Sequence, residues 1–322
     1  MRIKIIGGET LGTRSLSSFI ECSDLRILID PGVALGPRFN LLPHPIEYEN
    51  LMRTRREIES HASESDVVFI SHYHYDHFTP FWKEIDNLWT FADVNSAEKI
   101  YKHKQVFIKD PFNNINESQR SRAKEVLPHL NKIAKEIRIA DSREYKIGNT
   151  KLIFSNPLPH GEDNTPLGKV LMLCIEDKGE KFLFASDVEG PISEKVFEEI
   201  VRMKPNCMLI SGPPLYLLGT KLSYDNFQKA IDNLSKLLKH VDVIILDHHF
   251  LRSHESLNYI KKLKEIADGY GSMLMTIAEF NNMELKLLEA YRKELYKDKP
   301  PSEEFIEWTR KKSGFPPISY KK

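Results

Sequence analysis

Apolar residues fall into short runs separated by longer, charge-rich amphipathic stretches. Residues 2–6 (RIKII), 15–21 (SLSSFIE) and 25–29 (LRILI) predict strands, the last two a hairpin pair that ends at Asp30-Pro31-Gly32. Residues 66–71 (DVVFIS) are continuously apolar, the pattern of a strand covered on both faces. Further strands are predicted at 151–155, 170–175 and 181–185. Beyond them, strands at 207–211, 241–246 and 272–277 alternate with helices at 193–203, 223–239 and 257–267. Earlier helices are predicted at 46–62 and 118–136, the second broken or kinked at Pro128. Helices placed between strands make this an α/β chain. The sequence shows no internal repeat and no interdomain linker, so one domain spanning 1–322 is expected.

Composition narrows the function classes. The chain has 322 residues, 41% hydrophobic and 29% charged, enough for a sizeable core. Its 46 basic and 46 acidic side chains cancel, which removes bulk charge as a reason to bind nucleic acid or a membrane surface. A local basic patch stays open. The three cysteines, Cys22, Cys174 and Cys207, cannot close a disulfide framework, and the first two sit in apolar runs as buried thiols do. The opening MRIKIIGGETLG is broken by glycine too early for a signal peptide, and the apolar runs are of strand length. A cytoplasmic protein without a membrane partner is expected.

One segment carries most of the chemistry: Ser71-His72-Tyr73-His74-Tyr75-Asp76-His77, directly after a buried strand. Several imidazoles and a carboxylate crowded together cost desolvation energy that a metal ion offsets, and these groups are ligands for zinc and related ions. In extended backbone His72 and His74 point the same way, so both can reach one ion. Asp76 and His77, displaced along the loop, can reach a neighbouring one. Other ligand-type residues follow apolar strands: Asp30, His160, Asp187, and the pair His248-His249 after VDVIIL. Each sits at a strand's C-terminal end, where α/β sites gather.

An HxHxDH motif after a strand, a later His, an Asp after another strand and a final His together resemble the metallo-β-lactamase superfamily. The likeness runs from about residue 1 to about 280. Within it, the chain resembles most a branch of archaeal metallohydrolases to which no substrate is attached. The resemblance implies a four-layer αβ/βα sandwich with a dinuclear metal site. One ion would be held by His72, His74 and His160, the other by Asp76, His77 and the final His, with Asp187 bridging. Asp30 would orient the ligand loop. His248 is preferred as the final ligand because neighbouring side chains of extended backbone point apart. His249 would then face substrate or a carboxylate and, with Asp76 and Asp187, belong to the catalytic set.

The span between Asp187 and His248 leaves no room for the large inserted domain of the β-CASP nucleases. The path from His72 to His160 is long, which suggests a helical insertion at about 84–135, while residues from about 281 to 322 form a helical tail. The insertion carries Lys109, Arg120 and Arg122, which would bind a phosphate or carboxylate if they face the cleft and are ordinary surface charge if they do not. Tyr216, in SGPPLYLLG after a strand, either lines the cleft or packs. The expected cofactors are two divalent ions, Zn2+ by default and Mn2+ or Fe2+ compatibly with a mixed His/Asp set. The expected activity is hydrolysis of an ester-type bond in a small anionic or phosphorylated substrate by a metal-bridging hydroxide. The alternatives are a phosphodiesterase or nuclease acting on RNA or DNA, and a non-catalytic metal- or nucleotide-binding module.

Overall fold

The computed structural model describes residues 1–311 and 314–318. Thirteen of its strands form two sheets. The first contains β1 (Arg2–Ile5), β2 (Ser18–Glu21), β3 (Arg26–Ile29), β4 (Val67–Ile70), β5 (Gln105–Ile108) and β6 (Glu136–Ile139) in sequential order. Strands β1 to β3 are antiparallel neighbours, and β3 to β6 run parallel. The second sheet is built from β7 (Glu144–Ile147), β8 (Thr150–Phe154), β11 (Leu173–Asp177), β12 (Glu180–Phe184), β13 (Cys207–Ser211), β14 (Val243–Asp247) and β15 (Met273–Met275). Its order is β15-β14-β13-β12-β11-β8-β7, with β12 to β15 parallel. A separate two-stranded ribbon pairs β9 (Leu158–Pro159) with β10 (Lys169–Val170).

The period-2 alternation of side chains assigns each face. Val67 and Phe69 of β4 enter the core between the sheets, where Phe69 meets Phe154 at 5.0 Å between ring centroids. Val68 and Ile70 point outward into a second core under α1 (Pro45–Glu64), α2 (Val94–Tyr101) and α3 (Glu117–Ile133). The second sheet repeats the plan, with Leu183, Met208 and Ile244 under α4 (Glu194–Met203), α5 (Tyr224–Leu237) and α6 (Ser256–Tyr270). The result is the expected four-layer αβ/βα sandwich. The apolar run at β4 is continuous because both of its faces are covered.

Three details differ from the sequence-based expectation. Segment 84–135 carries two helices, but β5 lies between them and is an interior strand of the first sheet, paired with β4 and β6, so the segment is built into the sandwich. Its four apolar-leaning residues stand between KHK and KD, and that polar flanking hides the strand. Helix α3 runs through Pro128 as one helix. The strand expected at 170–175 divides between β10 and β11, stepping where the Ser155 backbone and hydroxyl bracket Met172 at 3.0 and 2.9 Å.

The C-terminal segment is helical, with α7 (Ile277–Phe280), α8 (Arg292–Asp298) and α9 (Glu303–Lys311). The rest of the expected tail, residues 312–313 and 319–322, lies outside the described residues. This segment is docked. Arg292 grips Glu47 of α1 bidentately at 2.7 and 2.8 Å, both side chains fully buried. Trp308 meets Tyr48 edge-on at 5.3 Å, and His44 Nε2 lies 2.8 Å from the Lys299 carbonyl. Breaking such a pair leaves one charge buried alone. Arg292→Met is therefore expected to cost about 3–5 kcal/mol in urea unfolding, and a loss below about 1 kcal/mol would show that the pair does not hold the segment down.

Candidate metal centre

The centre forms where β3, β4, β12 and β14 end. After β4 the chain turns through Ser71–His77, and Asp30, just past β3, fixes that turn. Its carboxylate accepts the Ser71 amide at 2.7 Å, the Ser71 hydroxyl at 2.6 Å and His77 Nδ1 at 2.7 Å. Asp30 is fully buried and takes a left-handed φ of 44°. Gly32 follows because nothing larger fits: a Cβ there would stand 2.3 Å from the Phe78 amide nitrogen and 2.5 Å from that of His77. With Nδ1 bound to Asp30, His77 turns Nε2 toward Asp187, 3.0 Å away.

Asp187, three residues past Phe184 at the end of β12, lies at the middle. Its Oδ2 is 3.2 Å from His160 Nε2 and 3.7 Å from Nε2 of both His72 and His249. Its Oδ1 is 3.6 Å from His248 Nε2, which is also 3.5 Å from Asp76 Oδ2. Five groups of ligand atoms within 4.8 Å of one another emerge; two match the expected sets, His72, His74, His160 and Asp187, and Asp76, His77 and His248, and the others are Asp30, His72 and His77; His160, Glu189 and His249; and Asp187, His248 and His249. The expected ligands are thus brought together.

Proximity here is not hydrogen bonding. Nε2 of His72, His77 and His160 and both Asp187 oxygens are buried without a hydrogen-bond partner. Each such atom costs about 1–3 kcal/mol if nothing satisfies it. Five in one place, all of metal-ligand type, fit a cation centre and no ordinary core. Burial and then the neighbouring imidazoles hold His72 and His74 well below the usual histidine value, so both stay neutral, the form that binds metal. Burial opposes the charge on Asp187, but His77, His248 and His249 outweigh it and keep the carboxyl well below its usual value.

The alternation expected to send His248 and His249 apart does not operate. Both follow β14 in a 3-10 turn, His248–Arg252, and His248 has a φ of 60°, so the backbone is not extended. The rings stack at 4.4 Å and both face Asp187. Sequence reasoning also missed three residues. Glu189 lies two positions after Asp187, and its Oε1 is 3.3 Å from Nδ1 of both His160 and His249. Burial works against its charge, but contact with His160 and His249 holds its carboxyl at about 2. Arg252, four residues past His248, and Glu9, in the GGETLG turn, form a 2.6 Å pair beside the centre. The turns after Asp187 and His248 were legible signals for the first two. Nothing local marks Glu9.

The centre opens into a cleft of about 570 Å3, whose lining includes Pro214, Tyr216, Leu217 and Leu222. Tyr216 therefore lines it. The three insertion cations do not. Lys109 is fully buried, with Nζ 2.6 Å from Asp141. The two residues follow β5 and β6, neighbouring parallel strands, which is why they meet. Arg120 pairs on the surface with Glu117 at 3.0 Å. Arg122 donates to the Tyr73 carbonyl at 3.0 Å and covers the Tyr75 ring at 4.6 Å. All three leave the substrate set: one is a buried structural ion, and the others lie on the outer helical layer.

The topology and this centre define a protein of the metallo-β-lactamase fold with histidine–aspartate clusters of metal-binding type. The chain belongs to the UPF0282 family: it is 42% identical over 296 residues to the UPF0282 protein of Methanopyrus kandleri, covering 92% of this chain and 99% of that one. No protein-family model matches it. Among solved structures it is similar to unliganded yeast PDE1, with a TM-score of 0.51, 14% identity, and 85% of this chain and 96% of that one covered. It is also similar to a possible metal-dependent hydrolase from Veillonella parvula, with a TM-score of 0.50, 16% identity, and 82% and 94% covered. It spans about half, 52%, of CmlA, a diiron β-hydroxylase from Streptomyces venezuelae, at a TM-score of 0.49 and 13% identity over 85% of this chain. At these identities the likeness to yeast PDE1 and to the Veillonella parvula protein concerns the fold.

Asp30→Ala should leave the core intact, since its partners are the Ser71–His77 turn alone, but release His77. A loss of about 10–100-fold in metal affinity is expected by calorimetric titration. Unchanged affinity would remove Asp30 from the support of the centre.

Proposed function

We propose that this protein is a dinuclear metal-dependent hydrolase that cleaves an ester-type bond in a small anionic substrate. The observation that carries the proposal is the set of buried, unpartnered imidazole and carboxylate atoms converging on Asp187. His72, His74 and His160 would hold one ion, Asp76, His77 and His248 the other, with Asp187 shared. Two divalent ions bound there would supply a nucleophile by acidifying water and would stabilise the developing oxyanion.

The chain's own residues supply the rest. Glu189 stands beside Nδ1 of His249 and favours the tautomer protonated there. Nε2 of His249 is left to face Asp187 and the cleft. Burial lowers this imidazole to about 4, so at neutral pH it is a proton acceptor. It can take a proton from the attacking water and return one to the leaving group. Leu217, Leu222 and Pro214 give the cleft part of its apolar lining. The cleft volume is that of a small-molecule site, and the chain's zero net charge offers no bulk attraction to a polymer of phosphates.

Protein reconstituted with Zn2+, Mn2+ or Fe2+ should bind about two equivalents by elemental analysis and hydrolyse phosphodiester, thioester or lactone model substrates. A ceiling of one equivalent at excess metal would contradict the dinuclear site. His249→Gln should keep both ions while kcat falls about 10²–10⁴-fold, the usual contribution of a general acid–base group. Loss of an ion in that variant would instead make His249 a ligand.

A further inference from the structure

Arg252 is the buried cation closest to the ligand set, and its bonding is unlike that of the other buried arginines around it. Arg292 and Arg14 are each gripped bidentately, by Glu47 at 2.7 and 2.8 Å and by Glu289 at 2.7 and 2.8 Å. Arg252 makes one short bond, from Nε to Glu9 at 2.6 Å. Its two terminal nitrogens make long contacts: Nη1 to the Tyr216 hydroxyl at 3.4 Å, and Nη2 to Asp76 Oδ2 at 3.4 Å and His248 Nε2 at 3.3 Å. A guanidinium has five N–H donors. Four belong to the two terminal nitrogens, and Arg252 lines the cleft although it is only 5% exposed.

A cation in that position does not serve metal binding. Asp76 and His248 belong to one of the two expected ligand groups, and a positive charge touching both repels any ion they hold. Glu9 offsets part of that repulsion, its Oε1 lying 2.6 Å from Arg252 Nε and 3.7 Å from His248 Nδ1. An oxyanion on the cleft side of the guanidinium, next to Asp76 and His248 rather than between them and Arg252, would be drawn by this charge, and the planar fork matches phosphoryl or carboxylate oxygens. Tyr216 closes the adjoining side, its hydroxyl within reach of the same oxyanion.

We propose that Arg252 is the anion-recognition residue of the cleft: pinned by Glu9, it presents its Nη1–Nη2 edge to an oxyanion of the substrate beside Asp76 and His248. This rests on the dinuclear hydrolase reading and adds to it the substrate charge and its anchor. The substrate would carry a phosphoryl or carboxylate group there and an apolar portion against Leu217 and Leu222.

The test uses the full chain loaded with Zn2+, with inorganic phosphate and acetate as separate calorimetric probes. Arg252→Met strands the Glu9 carboxylate in the interior, so the double variant Arg252→Met/Glu9→Gln, which removes both charges, accompanies it, and Arg252→Lys keeps the charge without the fork. The expected result is that the double variant retains both ions, while affinity for at least one probe falls about 10–100-fold, the effect of one charge-assisted hydrogen bond. Arg252→Lys should fall between, and KM for an anionic model substrate should rise more than kcat falls. The probe that responds tells phosphoryl from carboxylate recognition. Affinity for both probes within twofold of the parent, with metals retained, would overturn the proposal and leave the hydrolase reading standing. Loss of metal from the double variant would also overturn it, making Arg252 a support for Asp76. A parent protein that takes up no metal would overturn the hydrolase reading itself and this inference with it.

Discussion

The geometry of the centre depends on one buried carboxylate that touches no other acid. Asp30 accepts three hydrogen bonds from the turn after β4, and these fix the path of Ser71–His77 and the tautomer of His77 at once. Burial pushes its carboxyl upward, while His77 and Ser71 pull it down. Arg55 braces the same turn from behind. It is fully buried and donates to the Thr90 carbonyl at 3.0 Å, and its contacts to Thr79 and the Pro31 carbonyl join the end of the ligand turn to the Asp30 loop. Burial lowers this guanidinium to about 10, which still leaves it charged at neutral pH.

The two halves of the sandwich meet at the centre through a second carboxylate. Asp247, at the end of β14, accepts the Glu9 amide at 2.8 Å, the Ile277 amide at 3.2 Å and the hydroxyl of Thr10. It thereby joins the first sheet's opening turn to the second sheet's last strands and seats Glu9 against Arg252. The C-terminal segment continues the ladder, with Glu289 between Arg14 and Arg38, and Arg38 donating to the Arg252 carbonyl. Buried ion pairs of this kind are weak evidence for added stability. Here they place charge: each carboxylate fixes a guanidinium whose other side faces the centre or its supports.

A helical sandwich of this size collects ligands cheaply because parallel strands end on the same side. Asp30, Ser71–His77, Asp187 and His248-His249 follow β3, β4, β12 and β14, so four turns converge without long excursions. Lys109 and Asp141 obey the same geometry at β5 and β6, where they make a structural pair 2.6 Å long.

The pattern of the sequence determined the α/β class, most of the strands, and the ligand-type residues His72, His74, Asp76, His77, His160 and Asp187, because apolar runs and clustered imidazoles are local signals, while the αβ/βα layering came from the family resemblance. Strands β5 and β6 escaped it, since four-residue runs among charges look like helix surface, and whether Lys109, Arg120 and Arg122 face the cleft, which they do not line, stayed open until the fold was in view. Tertiary structure alone decided that His248 and His249 both face Asp187, because a left-handed residue cancels the alternation that extended backbone would impose. It alone supplied Glu9, 243 positions before Arg252 in the chain, as the partner of that arginine. A pairing across such a distance leaves no trace in local pattern, and which face of a guanidinium stays free is settled only once the folded neighbours have taken the other.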